Sequence, residues 1–467
     1  MKKYPAAFLL FFLCASAGFS TPWAIICNAH SSSIYTADLG ASSIRIYGPF
    51  LSGSLGTPGD HLLDAVVTPD NYYALVTNYL GHAVYRIDIT DPTNPTLAGT
   101  VSFGTVFHPQ DIAIAPNGQF AVVSDGFSFD TPSLSNKLAF IDLSAFPSYS
   151  FYTLTTPNAQ AQAVAVGNDS QTIIICDNFY SRIIYGKVSA AQTGLVSEST
   201  YSLTAFPINV AISPDGSTAL VANLWAQSVN IYRITGPGTL VPGTPPRIDG
   251  IYNGPQSIAF TPDGTKALVL CVGNRDSLTW LRVSGPGNVS MGVDRVTDLF
   301  TRSLAAYDGV DVLAVSPLGN YAIAGTNSTN LTPNDRVALI DLSNFQTSVF
   351  TGALNDGAGI AVFHGAVFAP ANCGIQRLTN SYIFYKEYIN RLRWQANPAN
   401  QTVITKYRLY RKNKGDFDSA YQLYQELDPS VVLFDDRGLR AGQLYTYRMT
   451  SVNNLGMESR PSAEFGN

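Results

Sequence analysis

The chain has 467 residues, of which 46% are hydrophobic and 13% charged, and a formal net charge of −5. That balance excludes an intrinsically disordered chain, and with no Lys/Arg run longer than two residues it excludes a nucleic-acid partner, which needs a basic footprint. The length calls for more than one domain.

Residues 1–17 read as a secretory signal peptide. Lys2-Lys3 precede an apolar run from Ala6 to Ala17, and Ala15-Ser16-Ala17 offers a small-residue cleavage site before Gly18. The run is too short to cross a bilayer. The expectation is an extracytoplasmic protein, periplasmic, envelope-associated or secreted, with no transmembrane segment after cleavage.

Beyond the leader one unit is written repeatedly, most fully as VAISPDGSTALVANLWAQSVNIYRI from Val210. Val210 and Ile212 alternate with Ala211 and Ser213, the period of a strand. In Ser213-Pro214-Asp215-Gly216 the proline presets φ, the aspartate bonds its own backbone and the glycine closes a type I turn. Ala219 to Ala222 is a second strand, Asn223 to Gln227 a loop, and Val229 to Ile234 a third strand. In chain order, AIICNAHSSSIYTAD from Ala24 is followed by copies beginning at Val66, Ile112, Val164, Val210, Ile258 and Leu313, and GIAVFHGAVFAP from Gly359 supplies a last partial copy. The turn positions Pro69, Pro116, Gly167, Pro214, Pro262 and Pro317 are 47 to 55 residues apart. A period of roughly 40 to 50 means stacked β units.

The pairing of Ser213-Pro214-Asp215-Gly216 with Val221-Ala222-Asn223 resembles the YVTN-type β-propeller repeat. The resemblance covers about residues 24 to 370 and implies an all-β, seven-bladed β-propeller over residues 18–371, with eight blades as the alternative, closed by pairing the two chain ends so that no sheet edge is left open. It says little of activity, because propellers host lactonases, lyases, dehydrogenases and binding scaffolds.

After Pro370 the repeat stops, and strand patterns at Ile389 to Trp394, Lys406 to Arg411 and Leu444 to Val452 indicate a β-sandwich. Trp394 and the run from Leu439 to Tyr445 resemble the strand-B tryptophan and tyrosine corner of a fibronectin type III domain, with Ala441 where that family has proline; residues 376–467 are assigned to it. Residues 371–467 carry 13 Lys/Arg against 9 Asp/Glu, so this part is positive while the rest is negative.

In a propeller the loops opposite the Pro-Asp-Gly turns form the usual binding face. Five residues before each turn position stand Asp64, Asp111, Gln162, Asn209 and Ser257, with Asp311 one residue further upstream in its copy. They would ring the mouth of the central channel, either as a site or as groups that hold water and cap strand backbone. His61 and His108 hold equivalent positions in adjacent copies, and His82 lies in a nearby loop. With Asp64 and Asp111 they are the candidates for general-base chemistry or a divalent metal. The same loops present Asn78, Tyr79, Asp125, Phe127, Asn178, Phe179, Tyr180, Asn223, Trp225, Asn274 and Arg275, aromatics beside amides that suit a glycan or protein ligand. Cys27 and Cys373 flank the chain ends that must meet and are a candidate disulfide. Cys176 and Cys271 read as buried thiols.

With no H-E-x-x-H, G-x-S-x-G or phosphate loop in the sequence, the leading expectation is a monomeric recognition or scaffold protein without a cofactor, binding a protein or glycan on the loop face. The alternative is a lactonase-like hydrolase using His and Asp at the channel mouth, with or without a divalent metal.

Overall fold

The computed structural model describes residues 22–466 apart from 29–30, 41–44, 59, 127–135, 252, 274–275, 298, 300–310, 327–335, 352–356, 401–402 and 455. The expected signal peptide, Phe127, Asn274 and Arg275 lie outside the described residues. Among them helix is limited to two short 3₁₀ turns, and no helix is long and apolar enough to cross a membrane. The chain divides into two compact units that meet in sequence at Gly365 and Ala366.

The first unit is a ring of four-stranded antiparallel blades, seven among the described residues, two of them joined at their outer edges into one eight-stranded sheet by a parallel pairing of Thr244 with Asn288. The innermost strands are Leu62–Val67, Pro109–Ile114, Ala163–Val166, Pro207–Ile212, Gly254–Phe260, Asp311–Val315 and Gly357–His364, and each abuts the next around a closed circle. The ring closes inside one blade. Gly357–His364, from the end of the unit, pairs antiparallel with Pro22–Asn28 from its beginning, with Trp23 opposite Phe363 and Ile25 opposite Ala361. Gly359 is required there, since a Cβ would lie 2.7 Å from the Asp64 Cα of the next blade. Each second strand is buried along its length, as in Thr172–Asp177 and Thr218–Asn223, because both faces are covered by neighbouring blades.

The repeated turn works through its side chains. Ser213 Oγ donates to Asp215 Oδ1 (2.5 Å) and accepts from the Thr218 N–H (2.9 Å), while the Gly216 N–H donates to the Ser213 carbonyl at a φ of 73°. Thr261, Asp263 and Gly264 repeat the arrangement, and in the copy lacking proline Asp169 Oδ1 still collects the Gln171 and Thr172 N–H groups. On this lower face two long outer hairpins carry a second device that the turn pattern did not reveal. The tip Gly236-Pro237-Gly238 reaches the preceding blade, where the Gly238 N–H donates to Thr172 Oγ1 (2.9 Å); Gly285-Pro286-Gly287 does the same one blade on, to Thr218 Oγ1 (2.8 Å). Both second glycines have φ near +66° and no room for a Cβ.

The second unit is a β-sandwich. One sheet holds Ala371–Ser381, Lys386–Gln395 and Leu433–Leu439; the other holds Gln422–Leu427, Ile404–Asn413, Tyr445–Asn453 and Phe465–Gly466. Trp394, Tyr407, Leu409, Tyr447 and Met449 form its core. A polar network sits at that core: Asp436, 1% exposed, accepts from Arg411 (2.8 Å), Tyr424 (2.7 Å) and Tyr447 (2.6 Å), and Asn390 Nδ2 donates to the Tyr447 hydroxyl (2.8 Å).

The two cysteines weighed as a cystine belong to different units. Cys27 and Cys373 are free thiols, Cys27 buried among the aliphatic side chains of the closing blade and Cys373 against the sandwich core. Cys176 and Cys271 are buried, and burial raises both thiols above their usual range.

Candidate functional site

The channel wall comes first because the repeat builds it. Every innermost strand contributes to one cavity of about 180 Å³, lined on its polar side by Asp64, Gln110, Asp111, Gln162, Asn209, Gln256 and Ser257. Asp311 begins its strand, but its side chain is outside the described residues. The polar positions serve as clasps between blades. Asp64 Oδ2 accepts the Ile112 N–H of the next blade (3.0 Å), Asp111 Oδ2 the Val164 N–H (2.6 Å) and Asn209 Oδ1 the Ile258 N–H (3.1 Å). Thr77 and Ser124, on second strands, add hydroxyl bonds to the carbonyls of Gln110 and Gln162. Small-molecule sites typically hold about 300–1,000 Å³. This cavity falls below that range.

Asp64 also lies within reach of the Asp111 charge. Burial pushes Asp111 up to about 6, and burial together with the neighbouring Asp111 charge holds Asp64 well above the carboxylate range. The pair keeps a proton where isolated carboxylates would have lost it.

The ends of the second strands correct part of the expectation. Asn78 and Asn223, expected to meet a ligand, are fully buried. Asn78 Oδ1 accepts the Gly81 N–H (2.7 Å) and its Nδ2 donates to the Leu55 carbonyl (2.9 Å); Asn223 Nδ2 donates to Asn230 Oδ1 (2.8 Å). Asn78 caps the tight loop that follows, as Asn28 and Asp177 do in their blades, whereas Asn223 ties its strand to the next through Ser228 and Asn230.

Two groups on the upper face remain open. The first joins blades two and three. The rings of His82 and His108 lie 4.7 Å apart edge to face, and Tyr79 lies 5.3 Å from His108. His82 Nδ1 faces the Phe107 carbonyl oxygen at 2.9 Å. A carbonyl only accepts, so Nδ1 carries the proton and Nε2 is the basic nitrogen. Asp125 Oδ1 accepts the His108 N–H (2.9 Å); the side chain is 1% exposed, Oδ2 has no hydrogen-bond partner among the described residues, and burial pushes the carboxyl up to about 7. The His61 carbonyl accepts the Tyr79 N–H (2.9 Å). Among the described residues no three His, Cys, Asp or Glu side chains gather as metal ligands.

The second group is aromatic. Trp225, 69% exposed, stacks on Phe206 with centroids 4.5 Å apart; Phe179 (60% exposed) and Tyr180 (43%) meet edge to face in the neighbouring blade, beside half-buried Asn178. Arg182 lies over the Tyr180 ring while bonded to Asp177 at 2.7 Å. Sequence reasoning missed Phe206, although it precedes an innermost strand as His61 and His108 do.

No protein-family model matches the chain, and no curated protein matches it. Solved structures do. A functionally unknown protein from Desulfotomaculum acetoxidans is similar over 73% of this chain and 99% of its own, with 18% identity and a TM-score of 0.57. The fold they share is the β-propeller. A putative 6-phosphogluconolactonase from Bacteroides fragilis (12% identity, 74% of this chain and 99% of that one, TM-score 0.55) and the periplasmic gluconolactonase of Pseudomonas aeruginosa (15%, 73% and 99%, 0.55) match the propeller in the same way. At these identities the likeness carries the fold alone.

Proposed function

We propose that this chain hydrolyses cyclic esters of sugar acids on the upper face of its propeller. The observation that carries the reading is the contact of His82 Nδ1 with the Phe107 carbonyl oxygen, which leaves Nε2 as the proton acceptor beside His108, in a loop cluster that also holds an Asp125 carboxyl raised to about 7. Water attacking the ester carbonyl gives its proton to His82 Nε2; as the ring C–O bond breaks, the departing oxygen takes a proton from the imidazolium or from His108. The presence of lactonases among propellers of similar structure supports the choice of substrate. The test is hydrolysis of glucono-δ-lactone by purified protein, read as acid release at fixed pH. His82→Ala and His108→Ala should each lower kcat/KM by roughly a hundredfold or more. Variants that hydrolyse as fast as the parent, or a parent no faster than buffer, would sink the proposal.

A second reading rests on Trp225, Phe206, Phe179 and Tyr180, exposed rings that suit the CH face of a glycan or an apolar side chain of a protein. In it the chain is a recognition protein, its propeller of YVTN type and its sandwich of fibronectin type III type. The sandwich assignment is supported by the three-plus-four strand order and buried Trp394. Tyr445 is half-buried and bonds the Gln443 side chain. Both readings place the protein outside the cytoplasm, in line with the Lys2-Lys3 and apolar leader and with a periplasmic protein among the similar structures.

A further inference from the structure

The most unusual exposed surface of the second unit is a hairpin tip. Strands Ala371–Ser381 and Lys386–Gln395 are joined by a hairpin whose two turn residues are Ile383 and Phe384, 92% and 94% exposed. The Tyr382 N–H donates to the Tyr385 carbonyl (2.8 Å), and the two flanking tyrosine rings stack on each other at 4.5 Å. Turn chemistry asks for Gly, Asn, Asp or Pro at such positions. Nothing in the backbone calls for Ile-Phe, and nothing in the sandwich covers them.

The same end of the sandwich carries more of the same character. Register fixes its neighbours: Tyr388 lies opposite Leu439 and Asn413 opposite Tyr445, which brings the loops after Leu439 and Asn413 to the hairpin's end. Phe417 (87% exposed) and Leu444 (41%) sit in those loops. Exposed Lys386, Lys414 and Arg440 stand among them, with Asp416 and Asp418 on either side of Phe417, in a unit whose net charge is positive.

We propose that this end of the second unit docks onto an anionic lipid surface, with Ile383 and Phe384 entering the bilayer interface. The tip is convex and stands clear of the fold, a shape that a fluid interface can close around without a pre-formed pocket. Tyr382 and Tyr385 flank the apolar pair at the height where amphipathic rings sit between hydrocarbon and headgroups. The basic side chains behind them match negative headgroups, so apolar insertion and charge act in the same direction.

The experiment uses the chain from Gly18 onward, mixed with vesicles of phosphatidylcholine alone or with about one-third phosphatidylglycerol and separated by flotation. The parent should float with the anionic vesicles, and less so as salt is raised. Ile383→Ser with Phe384→Ser should lower the partition coefficient by roughly a hundredfold or more without moving Tm, because both side chains are already in solvent. Lys386→Ser with Arg440→Ser should weaken binding to the anionic vesicles only. A parent that floats with neither composition, or a tip variant that floats like the parent, overturns the proposal. So does a tip variant with a lowered Tm, which would mean the tip is packed. Sedimentation equilibrium without lipid separates the remaining case: a dimer of the parent that the tip variant abolishes assigns the tip to a second copy of the chain and overturns lipid docking.

Discussion

The two units bury carboxylates in opposite ways. In the propeller Asp64 and Asp111 accept backbone N–H groups of the following blade, and Asn209 makes the same bond at the equivalent position of its copy. In the sandwich Asp436 accepts only side chains, from one arginine and two tyrosines assembled once. A backbone partner is present whatever the next residue is, so the first arrangement tolerates sequence drift; the second depends on four particular side chains together.

The sharpest way to break that contrast is Asp436→Ala. It leaves Arg411 at the core without its counter-charge, and the expected loss is about 3 to 5 kcal/mol, read by calorimetry or urea unfolding. A loss below about 1 kcal/mol would make the network no more than a surface ion pair. Next is Gly287→Ala, which forces an L side chain into φ +66° and sets its Cβ 2.7 Å from the Arg233 Cβ. We expect about 2 to 3 kcal/mol from overpacking and strain together. A neutral result would show that the hairpin tip lifts off the preceding blade.

The third sharpens the propeller side. Because Asp64 and Asp111 hold their proton more tightly folded than unfolded, the folded protein binds more protons from about pH 4 to beyond 6, and stability falls as pH rises through that window. The parent should therefore lose more Tm between pH 4 and 8 than Asp64→Asn, which removes the mutual repulsion but keeps an acceptor oxygen. Coincident profiles would mean that the two carboxyls do not share a proton. The smallest effect on stability belongs to Trp225→Ala with Tyr180→Ala, within about 1 kcal/mol because both rings are largely in solvent, against about 3 to 5 kcal/mol for Trp394→Ala in the sandwich core. If the double variant keeps full affinity for a glycan or protein that the parent binds, the aromatic group is not the contact surface.

The propeller was legible because its repeat states each strand, turn and clasp several times over. The channel ring was read from spacing alone, and Asp64, Asp111, Gln162, Asn209 and Ser257 line one cavity. What spacing could not say was which way a polar side chain turns at the end of a strand. Asn78 and Asn223 look the same in sequence as a ligand-binding amide, yet each is buried, Asn78 capping its own loop and Asn223 bonded to the next strand. The Gly-Pro-Gly tips were present as a second repeat, at Gly236 and Gly285, but their partners Thr172 and Thr218 lie more than sixty residues away, in the preceding blade. Exposure of Ile383 and Phe384 was hidden for a simpler reason: two apolar residues inside a strand-like run read as core until the hairpin is seen to turn between them.

The seam that closes the ring has a consequence in time. Asn28 and Gly357 are partners in the closing blade, yet 329 positions separate them along the chain. At a synthesis rate of about 5 to 20 residues per second the first strand, Pro-Trp-Ala-Ile-Ile-Cys-Asn, waits roughly a quarter of a minute to a minute for the strand that will cover it. Until then the newborn protein carries an unpaired apolar edge at its leading end, the kind of edge that recruits other chains. Delivery through a membrane in the unfolded state, under the care of whatever holds secreted chains apart, would place that wait where the edge meets the fewest copies of itself.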